Sequence, residues 1–471
     1  MSRVPLLGHA SLDDIFAWRE VEQNHGARES ASGRPVSVRD FLAEVDALAA
    51  QLPAGQHLLN LCQNRYRFAV GFAAGLISGK ISLQPSSQSA ETLHQIKASC
   101  PDVFCLCDDD FPTLDLPRLD FPNLSAANCS ENSREISEIP RIPAEQIAAR
   151  LFTSGSTGLP MPHDKTWGKL VSNGRAEARR LGLLDSPHQI IGTVPAQHSY
   201  GFESTILLAF HGNSPFWAGR PFYPQDIVSA LHAIPAPRLL VTTPFHLSAV
   251  LAAGLELPPV DMLLSATAPL STALAKQAEE AFGAPLYEIY GSTESGQIAS
   301  RRTTDGPTWQ LLDGINLEQN DDQTTASGGH VEGRVGLSDI IELIDDRHFL
   351  LHGRHADLIN IAGKRTSLAY LHHQIGAIPG VTDAAFFLPD ETSSEGSTDH
   401  RTDSITRLCA FVVAPGMSSR QILAELRQRL DPIFLPRPLF LLDALPRNST
   451  GKLPRSQLQA LYAEKLNHAG H

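Results

Sequence analysis

Cysteine is scarce in this chain: six residues among 471, at positions 62, 100, 105, 107, 129 and 409. Cys105 and Cys107 stand a single residue apart, a spacing that fits no zinc pair, and there is no second cluster to complete one. A disulfide framework and a thiolate metal site are both excluded, and reduced thiols in the cytoplasm are expected. Long apolar runs are also missing. The longest, FAVGFAAGLISG (68–79), is too short to cross a bilayer and reads as a buried helix ending at Gly79. The opening residues MSRVPLLGHASLDD have no long apolar region, so no signal peptide is expected. Basic charge is in deficit, with 38 Lys+Arg against 51 Asp+Glu and a net charge of −13. That argues against a general nucleic-acid binder. The deficit is uneven. From residue 355 onward there are 12 basic and 11 acidic side chains, so nearly all the negative charge belongs to the first 354 residues.

What the chain does have is a rhythm of short apolar runs alternating with helical patterns. Hydrophobic side chains make up 42% of it, enough for a real core. SVRDFLAEVDALAAQL (37–52) reads as an amphipathic helix capped by Ser37, with Phe41, Val45, Leu48 and Leu52 on one face. HLLNLC (57–62), KISLQP (80–85), DVFCLC (102–107), LLVTTPF (239–245), DMLLSATAP (261–269) and APLYEIYG (284–291) read as strands, with helices at 65–79 and 271–283 between some of them. This alternation predicts an α/β fold with parallel sheets covered by helices. After about residue 354 the pattern changes to short strands at 382–388, 406–413 and 438–443 around helices at 367–378 and 419–430, a small α+β domain. Two domains are therefore expected, 1–354 and 355–471. QNDDQTTASGGHVEGR (319–334) and DETSSEGSTDHRTDS (390–404) read as exposed loops.

Four stretches carry chemistry. TSGSTGLP (153–160) places Thr153, Ser154, Ser156 and Thr157 around Gly155 and Gly158. Successive N–H groups in such a turn form an anion nest, and a helix expected to start near Lys165 would add its positive end. The alternative is a flexible Gly/Ser turn. A GxxxxGK[ST] loop is excluded because Leu159-Pro160 stands where Gly-Lys is needed. A GxSxG elbow is excluded by Ser154. Met161 occupies the place where a phosphate loop usually has lysine. In YEIYGSTESG (287–296), at the carboxyl end of an expected strand, Tyr290 is suited to stack on a planar base, Thr293 to hold a phosphate oxygen and Glu294 to hold Mg2+. The plainer reading is a strand and a capped turn. Asp339 and Arg354 flank an expected β-hairpin and suit ribose hydroxyls; a surface ion pair is the alternative. LPRNSTGKLPR (445–455) exposes Lys452 on a loop that is unremarkable alone.

In this order the four resemble the adenylate-forming superfamily of acyl-CoA synthetases, luciferases and peptide-synthetase adenylation domains. TSGSTGLP is similar to that family's phosphate loop, YGSTE to its adenine and magnesium motif, GRHADLINIAGKR (353–365) to its hinge, and LPRNSTGK to the loop delivering its catalytic lysine. PAQHSYG (195–201) resembles the segment beside the acyl pocket. LSATAPLS (264–271) resembles the segment against adenine, with Thr267 where glycine is common. The resemblance implies that ATP and Mg2+ are used to convert a small carboxylic acid to an acyl-AMP. By it, residues 153–158 hold the β- and γ-phosphates, and Thr157 and Glu294 hold the metal. Thr267, Ala268, Tyr290, Gly291, Ser292, Asp339 and Arg354 hold the nucleoside, and Lys452 and Thr293 assist the reaction. It implies that His198, Tyr200, Gly201 and Phe202 face the acid, and that Asn360, Gly363 and Arg365 line a tunnel for a pantetheine thiol after the mobile C-terminal domain rotates about a hinge that carries Ala356. Lys165, with His163, is expected to supply the charge missing at Met161.

The phrases NLCQNRYRFAVGFAA (60–74) and PHDKTWGKLV (162–171) also resemble the small ligases of bacterial aryl polyene and xanthomonadin-type pigment clusters. That implies a hydroxybenzoate-like acid loaded onto an acyl carrier protein, docked by Arg420, Arg427, Arg429 and Arg437. The rival readings are an aryl- or fatty-acyl-CoA ligase, with CoA as acceptor, and a non-catalytic ligand-binding relative.

Overall fold

The computed structural model describes residues 2–20, 33–85, 90–108, 115–124, 136–154, 160–320, 323–354, 358–361, 364–389, 408–447 and 453–469. Through most of the chain, two sheets enclose a layer of helices. The first sheet has six strands in the order Pro160–Thr166, Ile147–Ser154, Ile81–Gln84, His57–Asn60, Phe104–Cys107, Arg118–Asp120. All its neighbours are parallel except the Pro160–Thr166 edge. The second has eleven strands. Its parallel middle runs Ile15–Arg19, Phe216–Trp217, Gln189–Gly192, Arg238–Thr242, Met262–Ser265, Leu286–Ser292. It continues through antiparallel Gly296–Arg302, Trp309–Leu311, His348–Arg354 and Asp339–Leu343.

The near-continuous apolar runs follow from this layering, because a parallel sheet is covered on both faces. Leu58 and Leu106 point into the central helical layer, while Leu59, Cys105 and Cys107 point to the outer one. Leu239 and Val241 likewise face inward and Leu240 outward. The central layer holds Arg65–Ile77, Trp167–Arg180 and a helical segment from Ser199 to His211. The middle of that segment, Phe202–Leu207, winds as a wide π turn. The expected helix at 37–52 is Val38–Ala49, with Ser37 and Asp40 bonding reciprocally across its first turn.

The C-terminal unit has its own three-stranded sheet, Asp383–Phe387, Cys409–Val413 and Leu439–Leu441. Leu371 and Ile375 of Leu368–Gly376 and Ile422 and Leu426 of Ser419–Arg429 pack on one face; Leu458 of Arg455–Ala469 packs on the other. Among the described residues, no helix is long and apolar enough to cross a membrane.

Two expectations are corrected. The phosphate-loop stretch does not lead into a helix. It connects two antiparallel strands, Ile147–Ser154 and Pro160–Thr166, and the helix starts only at Trp167. A strand rises about 3.3 Å per residue, so the helix N-terminus lies about 20 Å from the loop and adds nothing to it. The described residues of 319–334 are not an exposed loop either. Gln323–Gly328 pairs with Ile315–Asn320 and with Arg334–Gly336, and His330 and Val331 are buried. Positive φ at Gly328, Gly329 and Gly333 lets the chain fold back and turn those two side chains inward.

Candidate active site

Met161, His163 and Lys165 alternate along one strand and therefore share a face. Met161, near the loop, is 55% exposed, whereas Lys165 is only 4% exposed. His163 Nε2 lies 2.9 Å from Thr153 Oγ1 and 3.9 Å from Glu294 Oε1. Lys165 Nζ donates to the Glu294 carbonyl at 2.6 Å. The basic side chains of this face thus lie two and four residues inward from Met161. Burial lowers the Lys165 pKa, and Glu203, Glu332 and Glu294 oppose that fall. Burial also lowers His163, against the pull of Glu294.

Glu294 sits at the tip of a hairpin. Leu286–Ser292 pairs with Gly296–Arg302, and Ser292 faces Gly296. The three residues between them form a turn closed by Gly296 at φ +73°, a recurrent hairpin solution. Ser295 Oγ accepts from the Ser292 N–H, and Ser292 Oγ accepts from the Ser295 N–H, both at 3.2 Å. Gly291 is glycine for a steric reason: a Cβ there would stand 2.3 Å from the Gly296 carbonyl oxygen. The Glu294 carboxylate, half-exposed at this tip, is a hard oxygen donor of the kind that suits Mg2+, which takes one or two carboxylates and fills its remaining positions with water and substrate phosphate.

Tyr290 lies against Trp309 and Phe349, with ring centroids 5.6 and 5.7 Å away. Its phenol donates to Asp339 Oδ2 at 2.7 Å. Asp339 and Arg354 are directly opposed at the open end of their hairpin, which places the Arg354 backbone beside Asp339. Thr267 has φ +78°, a conformation costly for a β-branched residue and natural for the glycine common at this place in the resembling family.

The stretch expected beside the acid is held by a buried cation that sequence reading passed over. Arg65, 1% exposed, donates to the carbonyls of Gly192 at 2.7 Å and Val194 at 3.0 Å. His198 Nδ1 accepts from the Tyr200 N–H at 3.2 Å and starts the helical segment. Tyr200 donates its phenol to the Leu264 carbonyl at 3.0 Å and so joins this segment to the one bearing Thr267. A Cβ at Gly201 would lie 2.0 Å from the Pro195 carbonyl oxygen. Phe202 differs from expectation. Its ring is fully buried, 5.0 Å from Phe72 and 6.4 Å from Phe68, so core packing accounts for it.

Several other polar groups near the Glu294 hairpin were also missed. Ser204 donates to Glu177, and Gln297 donates to Ser204, both at 2.7 Å. Asn173 bonds Glu203. Burial raises Glu177 to about 7 and Glu203 to about 8. No spacing rule flags them, because they come from three separate elements.

In the C-terminal unit, Arg447 forms a two-pronged pair with Asp383 at 2.6 and 2.8 Å. This fixes the entry to the LPRNSTGK loop. Gly155, Ser156, Thr157, Gly158, Ala356, Gly363 and Lys452 lie outside the described residues. The backbones of Ser154, Asn360 and Arg365 lie in strands.

Residues 17–338 match the AMP-binding enzyme family. A 4-coumarate–CoA ligase of Rhodobacter capsulatus is 31% identical over 317 residues, 66% of this chain and 75% of the relative. ATP-bound MatB from Rhodopseudomonas palustris has the same fold, with a TM-score of 0.76 at 18% identity over 96% of this chain and 97% of that one. O-succinylbenzoate coenzyme A synthetase from Bacillus subtilis, in complex with ATP and a magnesium ion, gives a TM-score of 0.72 at 20% identity over 90% and 95%. The chain belongs to the AMP-binding enzyme family: it is an adenylate-forming acid–thiol ligase that works with ATP and Mg2+.

Proposed function

We propose that this enzyme activates an aromatic, hydroxybenzoate-like acid as its acyl-AMP and passes the acyl group to the phosphopantetheine thiol of an acyl carrier protein. The observation that carries adenylation is the convergence of His163, itself bonded to Thr153, and Lys165 on Glu294, in the strand and turn that also carry the Tyr290–Asp339 bond. A carboxylate attacking the α-phosphate gathers negative charge at one point, so fixed cations and donors are needed. In this reading residues 153–158 hold the β- and γ-phosphates, with Glu294 and Thr157 on the metal and Thr293 on a phosphate oxygen. Tyr290, Gly291, Ser292, Thr267 and Ala268 enclose adenine, and Asp339 and Arg354 bind the ribose. Lys165 supplies the positive charge absent at Met161, and His163, its pKa lowered by burial, adds a hydrogen-bonding ring beside it. Lys452 bonds the attacking carboxylate and the α-phosphate.

We divide the chain at residues 354 and 355. The smaller unit rotates after adenylation, removing Lys452 and bringing Asn360, Gly363 and Arg365 around the incoming thiol. His198, Tyr200 and Gly201 border the acid. The relative named for 4-coumarate supports an aromatic acid, and its name also favours a second reading in which CoA is the acceptor. The carrier-protein reading rests on the likeness to pigment-cluster ligases and on the arginines of Ser419–Arg429 and Arg437 in the near-neutral unit.

ATP–pyrophosphate exchange across hydroxybenzoates, cinnamates and fatty acids, followed by acyl transfer to holo-carrier protein and to CoA, tests this. Exchange confined to aryl acids and faster transfer to the carrier support it. Exchange with fatty acids alone, or transfer to CoA alone, rejects the corresponding part.

A further inference from the structure

Three segments that are distant in sequence close into a ring beneath the Glu294 turn. The inner end of the phosphate-loop hairpin supplies Lys165, whose ammonium donates to the Glu294 carbonyl at 2.6 Å. The next residue, Thr166, donates both its N–H and its hydroxyl to Glu332 Oε1 at 2.8 Å. Glu332 lies in the fold-back after Gly328 and Gly329, and His330 of that segment donates to the Gln297 carbonyl. Gln297 lies in the strand that leaves the Glu294 turn, opposite Gly291. A fifth bond, from Lys169 Nζ to the Gly329 carbonyl at 2.7 Å, braces the helix that follows the hairpin.

The ring has the marks of a device for holding geometry. Lys165, Gln297 and His330 are all buried. A long, flexible lysine side chain is costly to order and to bury, so an ammonium placed inside, on a carbonyl, needs compensation; Glu203, Glu332 and Glu294 are the carboxylates around it. Its contact is to the backbone of the turn and does not occupy the Glu294 carboxylate. The turn's own bonds are short-range ones among Ser292, Ser295 and Gly296.

We propose that Lys165 and Glu332 are positioning residues that clamp the base of the phosphate-loop hairpin to the Thr293–Glu294 turn, so that the loop and the metal-binding carboxylate keep one fixed separation. This rests on the reading that Glu294 serves ATP and Mg2+, and it refines the part given to Lys165: its charge acts through the turn's backbone. In-line displacement is sensitive to such spacing; a shift of about 1 Å costs on the order of a hundredfold in rate.

The test uses the full chain and the variants Lys165→Met, Lys165→Arg, Glu332→Gln and the Lys165→Met/Glu332→Gln double, each first checked for a wild-type melting profile. Amide hydrogen exchange of the peptide spanning 290–296 is read without ligand. Pyrophosphate exchange is read with ATP and Mg2+ varied separately. The clamp requires faster amide exchange in Lys165→Met and Glu332→Gln, partial recovery in Lys165→Arg, and a fall in kcat of about tenfold or more with the KM for ATP little changed. In a closed ring one broken corner loosens the whole, so the double variant should lose hardly more than either single one. Unchanged amide exchange in both single variants, or kinetic losses that multiply in the double, overturns the proposal. A direct phosphate contact by Lys165 would instead raise the KM for ATP without altering amide exchange, which also overturns it. If the wild type exchanges no pyrophosphate with any acid, the functional reading fails, and the amide-exchange measurement still decides the clamp.

Discussion

The phenolic oxygen of Tyr290 lies 2.7 Å from Oδ2 of Asp339, a bond that spans 49 residues of sequence and joins the strand feeding the Glu294 turn to the hairpin ending at Arg354. Tyr290→Phe keeps the ring on Trp309 and Phe349 and removes only the donor. The bond is present without nucleotide, so its loss should lower stability by about 1.5–3 kcal/mol, and ATP binding measured by calorimetry should weaken as well because Asp339 loses the donor that orients it. Undiminished ATP affinity would assign the phenol to packing alone.

Lys452→Ala should slow pyrophosphate exchange by about a hundredfold or more, the usual loss for one well-placed transition-state donor. Thioester formation from preformed acyl-adenylate should stay near the wild-type rate. Single-turnover measurements of the two half-reactions check this, and equal losses in both would contradict two separate arrangements of the C-terminal unit.

Arg65→Met should be strongly destabilising. It leaves the buried carbonyls of Gly192 and Val194 without their donor, at about 1–3 kcal/mol each. The urea midpoint should fall, and the KM for the acid should rise because Val194 leads directly into PAQHSYG. A midpoint within error of the wild type would mean that water replaces the guanidinium without loss.

Thr267→Gly relieves a left-handed backbone that costs a β-branched residue about 1–3 kcal/mol, against about 1 kcal/mol of added chain entropy for glycine. The variant should melt no lower than the wild type. A clear drop would show that the threonine side chain contributes more than its strain costs.

Stability should be greatest between two opposed pH effects. Burial depresses His9, His246 and His330 to about 4 and His211 to about 3. Below about 6.5 the unfolded chain binds protons that the folded chain refuses, so stability present above that pH is lost as pH falls toward 4, by up to about 1.4 kcal/mol per unit for each histidine. Glu177 and Glu203 act in the other direction. Their folded values, about 7 and about 8, lie above the ordinary carboxyl range, so their contribution is complete below about 4.5 and is lost as pH rises through 7 to 8. Melting temperatures between pH 4 and 9 check both limbs. Glu177→Gln should flatten the alkaline limb and leave the acid limb in place; an unaltered alkaline limb would show that Glu177 does not titrate there.

Strands buried on both faces announce themselves as unbroken apolar runs, and so HLLN, FCLC and LLVT were legible in sequence. Ser37 with Asp40 marks a helix start by local hydrogen bonding, which is also readable. Tyr290 and Glu294 stood out in sequence because one short motif holds both, and Asp339 because it flanks a hairpin opposite Arg354. Glu332, His330 and Arg65 did not, because each acts on a carbonyl or hydroxyl belonging to a distant element, and no local pattern encodes such a partner. The fold-back at 328–333 looked like solvent-exposed chain because glycines suit both a loose loop and a tight reversal; the GGHVEG grouping, with an apolar residue between glycines, was the available signal. Lys165 looked like a helix start because Pro160 and Pro162 obscure a strand; proline is tolerated there because that strand is a sheet edge.

The wide turn at Phe202–Leu207 gives the protein a place to vary. An α-helix advances about 100° per residue. A single codon lost or gained within that turn would swing the His198–Gly201 side by that angle relative to the Leu208–His211 side. The His198–Gly201 segment would then be re-aimed in one genetic step while Thr153, Glu294, Tyr290 and Asp339, all carried on sheet strands or their turns, stayed where they are. Change in the helical layer is mechanically separable from retention of the sheet-borne residues.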